Sequence, residues 1–500
     1  MNAPEPRGET GDVAGVASPE RPSLTGRLVR GTLWSMLGIA ALGLTRLIYT
    51  ALVGRTSDPS RLAEINSQIS LAFLATFATA AATGAGAAKF LPLTMARSGP
   101  AAASAVRRTL TRWTVVATCA VVVLIGVLGR WLLPDAALPD LVWVCALTAA
   151  YGAYSYSKSV LYGYHLPGRY AVLEVFSDAA ILVLALAAIW WLPDLLLAPL
   201  VIGYAAFAVA AARSTPRDRP GPMPELGREL PGFVAYTALG IAAGQGFFQV
   251  SMVVARHAAS GQDAGAYAAA MSLITPAFFL PRAMALAFFP AAAEAVGRDD
   301  TPALARHTDV VTRLLALTML PAFALAAMLG GLALRLVFGP AYAGGGAVFA
   351  VLVLAVFLYV VAVPSVNVLS AHELALARIP PLASTVGVVA GTVVWLTLGS
   401  RLGAVGVAAG YLAGMLIQAG VPLVVAFHRL GLWSPARFAR YALSLGAGIA
   451  LAALAVLDSR PWVVAGCVVG FCVVFGLLLG GEVRKVARAL PEFRKAVTRP

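Results

Sequence analysis

Charge is what this sequence has least of. Only 12% of its 500 residues are charged, whereas 60% are hydrophobic and the mean hydropathy is +0.82. A soluble protein carries about 25% charged residues, so a soluble fold is excluded. Apolar runs of 18 or more residues recur along the chain, each long enough to cross about 30 Å of hydrocarbon. Because backbone groups in lipid must bond internally, the sequence predicts an all-α integral membrane protein of about fourteen transmembrane helices.

Catalytic and metal-binding patterns are also missing. The four cysteines lie inside predicted spans without metal-ligand spacing, as expected of small apolar core residues. The five histidines are isolated near loops, and no HExxH, nucleophile elbow or catalytic triad spacing occurs. GAGAAK at 84–89 has no preceding strand, so it is not a phosphate loop. The sequence therefore predicts no cofactor, no metal and no enzymatic activity.

The net charge of +14 is explained by its placement. Predicted spans lie at 31–53, 68–88, 113–133, 139–161, 171–192, 195–213, 231–254, 264–286, 310–336, 346–370, 379–399, 403–427, 439–457 and 460–480. Of the 37 Lys and Arg residues, 29 then fall on the side of the termini and 7 on the other. This bias follows the positive-inside rule. It predicts cytoplasmic N- and C-termini, a cytoplasmic-membrane location, and contact with anionic membrane lipids rather than nucleic acid.

No connection between the spans is long enough to form a separate domain. We expect a disordered cytoplasmic tail at 1–29 without a cleavable signal peptide, and a basic cytoplasmic tail at 482–500. The longest inner connections have about 20 residues, which excludes an ATPase or a glycosyltransferase domain. A glycan polymerase or ligase embedded in the membrane is the alternative of a different class, but it needs a long outer loop that this chain lacks.

An internal repeat divides the predicted helices. Three segments of the first half correspond to segments of the second half: ALVGR at 51–55 to VVAR at 253–256, KFLPL at 89–93 to AFFPA at 287–291, and VIGYAAF at 201–207 to AAGYLAG at 408–414. The offset is close to 200 residues and contains six spans, so the two copies run parallel. This plan places a cavity between two lobes. The sequence predicts an N-lobe at 30–215 (helices 1–6), a C-lobe at 230–430 (helices 7–12) and two further helices at 438–481.

Several segments carry a family resemblance. RLVFGPAYAGGGAVFAVL at 335–352, the stretch from Ala377 to Gly414, and GAYAAAMSL at 265–273 with AFFPAAAEA at 287–295 resemble the polysaccharide branch of the multidrug/oligosaccharidyl-lipid/polysaccharide (MOP) exporter superfamily. The resemblance covers roughly residues 28–430. It implies outward flipping of undecaprenyl-diphosphate-linked glycans by alternating access, often coupled to an ion gradient.

Arg46 is the strongest single candidate for substrate binding. It lies about two-thirds of the way along helix 1, where a lipid-facing charge is costly. Arginine binds phosphate bidentately, and Tyr49 shares its helix face. The resemblance also includes lipid II transporters, which place Arg on the first helix. The alternative is that Arg46 extends to the outer headgroups, as Arg55 would.

Further polar residues extend this candidate site. Gln245 and Gln249 form a stripe with Arg256 on helix 7, which either lines a cavity or joins helices. Arg282, near the inner end of helix 8, could gate or bind phosphate, although an ordinary positive-inside arginine explains it better. The candidate substrate-binding residues are Arg46, Tyr49, Gln245, Gln249 and Arg282.

Two acidic residues are candidates for ion coupling. Glu174 and Asp178 are four residues apart on helix 5, so they share a face and could bind a proton or Na⁺. Pairing with Lys158 or Arg169 at the interface is the alternative. On helix 4, a stripe of Tyr151, Tyr154, Lys158 and Tyr162 could bind sugar and phosphate, but an aromatic belt with a snorkelling lysine explains it better.

The sequence thus predicts an ion-coupled flippase for a lipid-linked oligosaccharide, working beside glycosyltransferases or a polymerase of the same pathway. A lipid II flippase and a multidrug antiporter of the same superfamily are the alternatives. A multidrug exporter would normally have twelve helices rather than fourteen.

Overall fold

The computed structural model describes residues 24–133, 136–216, 218–223, 229–278, 288, 292, 296, 298, 300–371 and 374–498. Every long element in these ranges is a helix. The helices are α1 Leu24–Thr56, α2 Pro59–Ala78, α3 Ala80–Leu132, α4 Leu138–Gly163, α5 Pro167–Trp191, α6 Ala198–Ser214, α7 Glu229–Ala258, α8 Gly261–Ile274, α9 Thr301–Met328, α10 Gly330–Phe338, α11 Gly346–Ala371, α12 Ile379–Val394, α13 Ser400–Arg429, α14 Pro435–Leu457 and α15 Pro461–Thr498. Short helical turns lie at Pro193–Leu195, Thr275–Phe278, Pro340–Gly345 and Leu374–Ala377.

The fourteen predicted spans correspond to these helices, which confirms the all-α membrane fold. Nine helical stretches in the described part of the chain are long and apolar enough to cross a membrane, and two of them carry two spans each. One is α3, which Gly99 divides with a φ of +82° before Pro100. A positive φ is easily adopted by glycine, and proline cannot continue the preceding helix. The second predicted span therefore consists of α2 and residues 80–98, joined at Thr79.

Some predicted boundaries differ from the structure. α1 begins at Leu24, inside the predicted tail, and α15 continues as helix to Thr498 through the predicted basic tail. The ninth span is two helices, α9 and α10, which meet at Leu329. Residues 1–23 lie outside the described part of the chain, as does most of the second half of span eight.

The two lobes repeat the same helix packing. In the N-lobe, α1 packs on α5, α3 on α4, and α6 on both α4 and α5. In the C-lobe, α7 packs on α12, α9 on α11, and α13 on both α11 and α12. Gly203 and Gly410 occupy matching positions, each so close to the neighbouring helix that a Cβ atom would strike it. This packing agrees with two parallel six-helix lobes.

Glycines bring α12 and α13 close together. A Cβ atom on Gly414 would lie 2.7 Å from the carbonyl oxygen of Gly387, and one on Gly391 would lie 2.6 Å from that of Gly410. Gly406, Gly410 and Gly414 repeat the GxxxG spacing on α13, and small residues at this spacing let helices approach closely. Gly240 and Gly244 on α7 have a similar spacing, but open space lies beside them.

The last two helices attach to the C-lobe. α14 and α15 pack on each other and on α9. At one end, Glu482 is 5% exposed and pairs with Arg313 at 3.5 Å and Lys485 at 3.0 Å, while Asp309 pairs with Arg437 at 2.8 Å. Towards the other end, α9, α11 and α14 surround an apolar cavity of about 320 Å³, lined by side chains that include Phe323, Phe357 and Ile449.

The lobes touch at both membrane faces. On the face where α1 ends, which we call the Arg55 face, Arg55 donates hydrogen bonds to the carbonyl oxygens of Leu336 and, at 2.7 Å, Val337. About 45 Å along α2 and α3, at 1.5 Å per residue, Lys89 pairs with Glu229 of the C-lobe at 3.3 Å. We call this side the Lys89 face; the charge distribution predicts that it is cytoplasmic.

Candidate functional site

The N-lobe encloses two carboxyl groups. Glu174 and Asp178 lie one turn apart on α5, and only 1% and 4% of their surfaces are exposed. The Tyr154 hydroxyl donates a hydrogen bond to Glu174 Oε1 at 2.5 Å, and the Thr45 hydroxyl bonds to Asp178. The predicted shared face is therefore present, and it points into the lobe between α1, α4 and α6.

Two cations lie in the same lobe as this acidic pair, and one of them, Lys158, acts electrostatically on both carboxyl groups. Arg46 of α1 is half-buried, and its guanidinium carbon is 4.3 Å from the centroid of the Phe73 ring. Lys158 of α4 places its ammonium 5.4 Å from the Tyr154 ring and 5.2 Å from the Tyr170 ring. All three distances are short enough for cation–π contacts. The cluster of Arg46, Lys158, Glu174 and Asp178, which we call the four-charge cluster, thus contains equal numbers of positive and negative groups.

Aromatic rings surround the four-charge cluster. Phe73 stacks on Tyr151 with ring centroids 3.7 Å apart, and Tyr204 lies 5.0 Å from Tyr151 and 4.9 Å from Tyr154. The Tyr204 hydroxyl is buried and has no hydrogen-bond partner. The same holds for Glu174 Oε2 and Asp178 Oδ2. Three oxygen atoms with free hydrogen-bonding capacity therefore lie on α5 and α6 beside the cations.

A cluster of charged side chains inside a protein contributes little to folding stability. Taking charges out of water costs several kcal/mol per ion, and apolar residues of similar volume often pack as well or better. Ionisable residues inside membrane segments instead mark ion and substrate pathways. The four-charge cluster is therefore the strongest candidate for a functional site among the described residues.

The other candidate substrate residues do not all join this cluster. Tyr49 is 2% exposed and donates its hydroxyl to the Leu196 carbonyl oxygen at 2.5 Å, so it ties α1 to the segment before α6. Gln249 is buried with Oε1 unpartnered, whereas Gln245 is exposed. Gln245 lies within the π-helical turn Ala242–Gly246, whose wider turn breaks the expected i, i+4 stripe. Arg282 lies outside the described residues.

In its described part, the C-lobe has an aromatic centre where the N-lobe has charged groups. Phe247 stacks on Trp395 with ring centroids 4.9 Å apart and lies 5.2 Å from Tyr411. The Trp395 indole donates to the Val407 carbonyl oxygen at 2.8 Å. Gln249 on α7 and Gln418 on α13 have buried side-chain atoms without hydrogen-bond partners. The ionisable groups of the two lobes therefore differ among the described residues.

Solved structures share this fold. The chain is similar to a lipid II flippase, MurJ, in an inward closed conformation, with a TM-score of 0.65, 12% identity, and coverage of 92% of this chain and 99% of that one. It is similar to an inward-facing multidrug resistance MATE family transporter, with a TM-score of 0.62, 13% identity, and coverage of 81% and 98%. A MOP superfamily transporter from Pyrococcus furiosus gives a TM-score of 0.60 at 14% identity, with coverage of 81% and 96%.

The chain has the fold of the MOP transporters. No family model matches its sequence, and no curated protein matches it either. At identities of 12–14%, the likeness establishes the fold. The fold accounts for the paired lobes, and it makes the chain a multi-pass membrane protein.

Sequence reasoning missed the orientation of Lys158. Its stripe with Tyr151 and Tyr154 favoured a side chain that reaches outward to the headgroups. In the structure its ammonium lies over two tyrosine rings inside the lobe, 3.4 Å from the Tyr154 hydroxyl. The available signal was the i, i+4 spacing to Tyr154, combined with the acidic pair on the next helix.

Proposed function

We propose that the chain is an ion-coupled flippase that moves a diphosphate-linked polyprenyl glycan across the cytoplasmic membrane by alternating access. The observation that carries the proposal is the four-charge cluster inside a MOP-type N-lobe. Arg46 supplies a cation for an anionic diphosphate, and the Glu174–Asp178 pair supplies groups that can exchange an ion. The predicted oligosaccharide substrate and the cytoplasmic termini belong to this proposal.

The apolar cavity supports a lipid-linked substrate. Its lining is formed almost entirely by Leu, Val, Ala, Ile and Phe side chains of α9, α11 and α14. A long hydrocarbon chain gains about 25 cal/mol for each Å² of apolar surface that it buries, although in a bilayer this gain is set against lipid contacts. A small cationic drug has no comparable chain to place there.

Lipid II is the second candidate substrate. The lipid II flippase covers 92% of the chain and the MATE transporter 81%. The difference of 11% of 500 residues is about 55 residues, close to the combined length of the membrane parts of α14 and α15. This coverage favours a lipid flippase of either kind over a multidrug exporter, and a transporter role over a membrane-embedded enzyme.

Proteoliposomes test the proposal directly. Wild-type protein is expected to translocate a fluorescent undecaprenyl-diphosphate oligosaccharide, and Arg46→Ala is expected to lower the rate by at least about tenfold, the loss of one charge-assisted contact. Arg46→Lys should recover part of the rate because it keeps the charge. Arg130→Ala, which removes an exposed arginine, is the matched control.

Comparing the transport of different substrates distinguishes the candidate functions. Transport of lipid II in preference to other glycans would assign the chain to the second candidate. Efflux of cationic dyes without translocation of any lipid-linked glycan would refute the flippase proposal.

A further inference from the structure

Lys158 is held inside the N-lobe by contacts on two helices. Its ammonium lies 5.2 Å from the ring of Tyr170 on α5 and 5.4 Å from that of Tyr154 on α4. It also donates a hydrogen bond to the Tyr154 hydroxyl at 3.4 Å. A lysine that served only to reach the headgroups would point away from these rings. The side chain therefore belongs to the interior of the lobe.

Tyr154 connects this lysine to the acidic pair. Its hydroxyl oxygen accepts from Lys158 and its proton is donated to Glu174 Oε1 at 2.5 Å. Neighbouring hydrogen bonds polarise each other in a low-dielectric interior, so Lys158 strengthens the bond that holds Glu174. Lys158 also acts electrostatically on both Glu174 and Asp178.

Every helix around the acidic pair contributes to its surroundings. The charged and titratable groups that these helices contribute are Arg46 from α1, Tyr151, Tyr154 and Lys158 from α4, Tyr170 from α5, and Tyr204 from α6. The side chain that α2 adds is the Phe73 ring. Of the two cations, Lys158 is the one that acts electrostatically on both carboxyl groups.

These surroundings favour a proton over a sodium ion as the ion bound by the acidic pair. Protonation of one carboxylate reduces the number of charged groups in the four-charge cluster from four to three. Binding of Na⁺ raises this number to five and adds a cation to a site on which the Lys158 ammonium already acts. Like charges repel more strongly in a protein interior than in water, and each buried ion carries a desolvation penalty. The free oxygens of Glu174, Asp178 and Tyr204 could otherwise serve as ligands for a small hard cation.

We propose that Lys158 is a tethered counter-ion that makes the Glu174–Asp178 pair take up protons and exclude sodium. Lys158 is then a positioning and specificity-determining residue, acting through Tyr154 and through its charge. The proposal rests on the proposed ion-coupled transport, and it names the coupling ion.

Sodium titration of the purified full-length protein tests this proposal without any substrate. The thermal unfolding midpoint is measured in detergent with increasing NaCl, and choline chloride serves as the ionic-strength control. Wild type is expected to respond equally to both salts. Lys158→Gln is expected to gain a Na⁺-specific rise in the midpoint, with Na⁺ affinity at least about tenfold above wild type, because a like charge has been removed. The added change Asp178→Asn should abolish that rise.

Infrared difference spectra supply a second readout. Acidification of wild type is expected to produce a carboxylic C=O band that Asp178→Asn reduces and that Na⁺ does not displace. Lys158→Arg keeps the cation and should behave as wild type in both measurements, which covers the case in which Lys158→Gln does not fold.

A Na⁺-specific stabilisation of wild type that Asp178→Asn removes would overturn the proposal, as would a folded Lys158→Gln protein that remains indifferent to Na⁺. Because neither readout involves a glycan, failure of the flippase proposal would appear only in the translocation assay and would leave these results unchanged.

Discussion

Breaking the Lys89–Glu229 pair is expected to favour opening at the Lys89 face. The two side chains are 43% and 58% exposed, and an exposed ion pair contributes less than about 1 kcal/mol. The Lys89 ammonium also lies 4.5 Å from the ring of Phe233 in the opposite lobe, which adds about 0.5–1 kcal/mol. Lys89→Ala should therefore weaken closure by on the order of 1 kcal/mol. The ratio of open to closed molecules at this face should rise about fivefold.

The Arg55 face provides the opposite perturbation. Arg55 donates to two carbonyl oxygens at the C-terminal end of α10, where the backbone acceptors have no helical partner. Hydrogen bonds to a charged group contribute about 1.5–3 kcal/mol, and solvent exposure places this contact at or below the lower end. Arg55→Ala should therefore shift the equilibrium towards opening at the Arg55 face.

Electron-electron double resonance in nanodiscs measures both openings. With the four cysteines replaced, spin labels at residues 98 and 436 report on the Lys89 face, and labels at 138 and 401 report on the Arg55 face. Lys89→Ala should lengthen the first distance in a larger fraction of molecules, and Arg55→Ala the second. Arg130→Gln, which removes an exposed charge on α3, is the control. If both variants lengthen the same distance, or if neither variant lengthens any distance, then the two contacts do not stabilise closure at opposite faces and the reasoning is refuted.

Three further predictions concern packing. Gly414→Ala should destabilise the protein by about 1–3 kcal/mol because its methyl group meets the Gly387 carbonyl oxygen, whereas Gly420→Ala, with open space beside it, should be neutral in the same thermal unfolding assay. Glu482→Gln removes a buried carboxylate whose partners Arg313 and Lys485 are 20% and 66% exposed, so it should lower the free energy of unfolding by about 1 kcal/mol; an unchanged unfolding midpoint would mean that solvent compensates for the loss. Ala350→Phe narrows the apolar cavity and should slow translocation of long polyprenyl substrates, while Val389→Phe on an exposed surface should not.

Composition and periodicity predicted the fold because lipid imposes few solutions on the backbone. Apolar length defined the spans, and the 200-residue offset defined the lobes. The boundaries were less well predicted. Thr79 interrupts the second predicted span without a change in hydropathy, and a break of this kind depends on backbone angles that hydropathy does not report.

The candidate site was predicted in part. The spacing of Glu174 and Asp178 was sufficient to place them on one face, since helical geometry alone determines it. The direction of that face, the inward turn of Lys158 and the packing role of Tyr49 depend on how α1, α4, α5 and α6 cross, which no local pattern encodes. The π-helical turn before Gly246 likewise changes the face of α7 through backbone geometry alone.

The repeat relates residues in and around the four-charge cluster to aromatic residues in the described part of the C-lobe. The offset that aligns Arg55 with Arg256 aligns Arg46 with Phe247, and the offset of the VIGYAAF and AAGYLAG segments aligns Tyr204 with Tyr411. Both tyrosines are 1% exposed. Arg46 acts electrostatically on Tyr204, whereas Phe247 packs beside Tyr411 with ring centroids 5.2 Å apart.

The two halves therefore keep the same backbone contacts and the same buried tyrosine but differ in the residue placed against it. An aromatic ring stabilises the C-lobe by packing at no cost in buried charge, while the half-buried arginine of the N-lobe carries a desolvation cost. Removing Glu174 and Asp178 together should make Arg46 and Lys158 uncompensated and destabilise the N-lobe, and replacing all four charged residues with apolar ones should restore its stability. If the fully apolar N-lobe unfolds at or above the wild-type temperature yet no longer translocates substrate, the cluster is retained for transport rather than for folding.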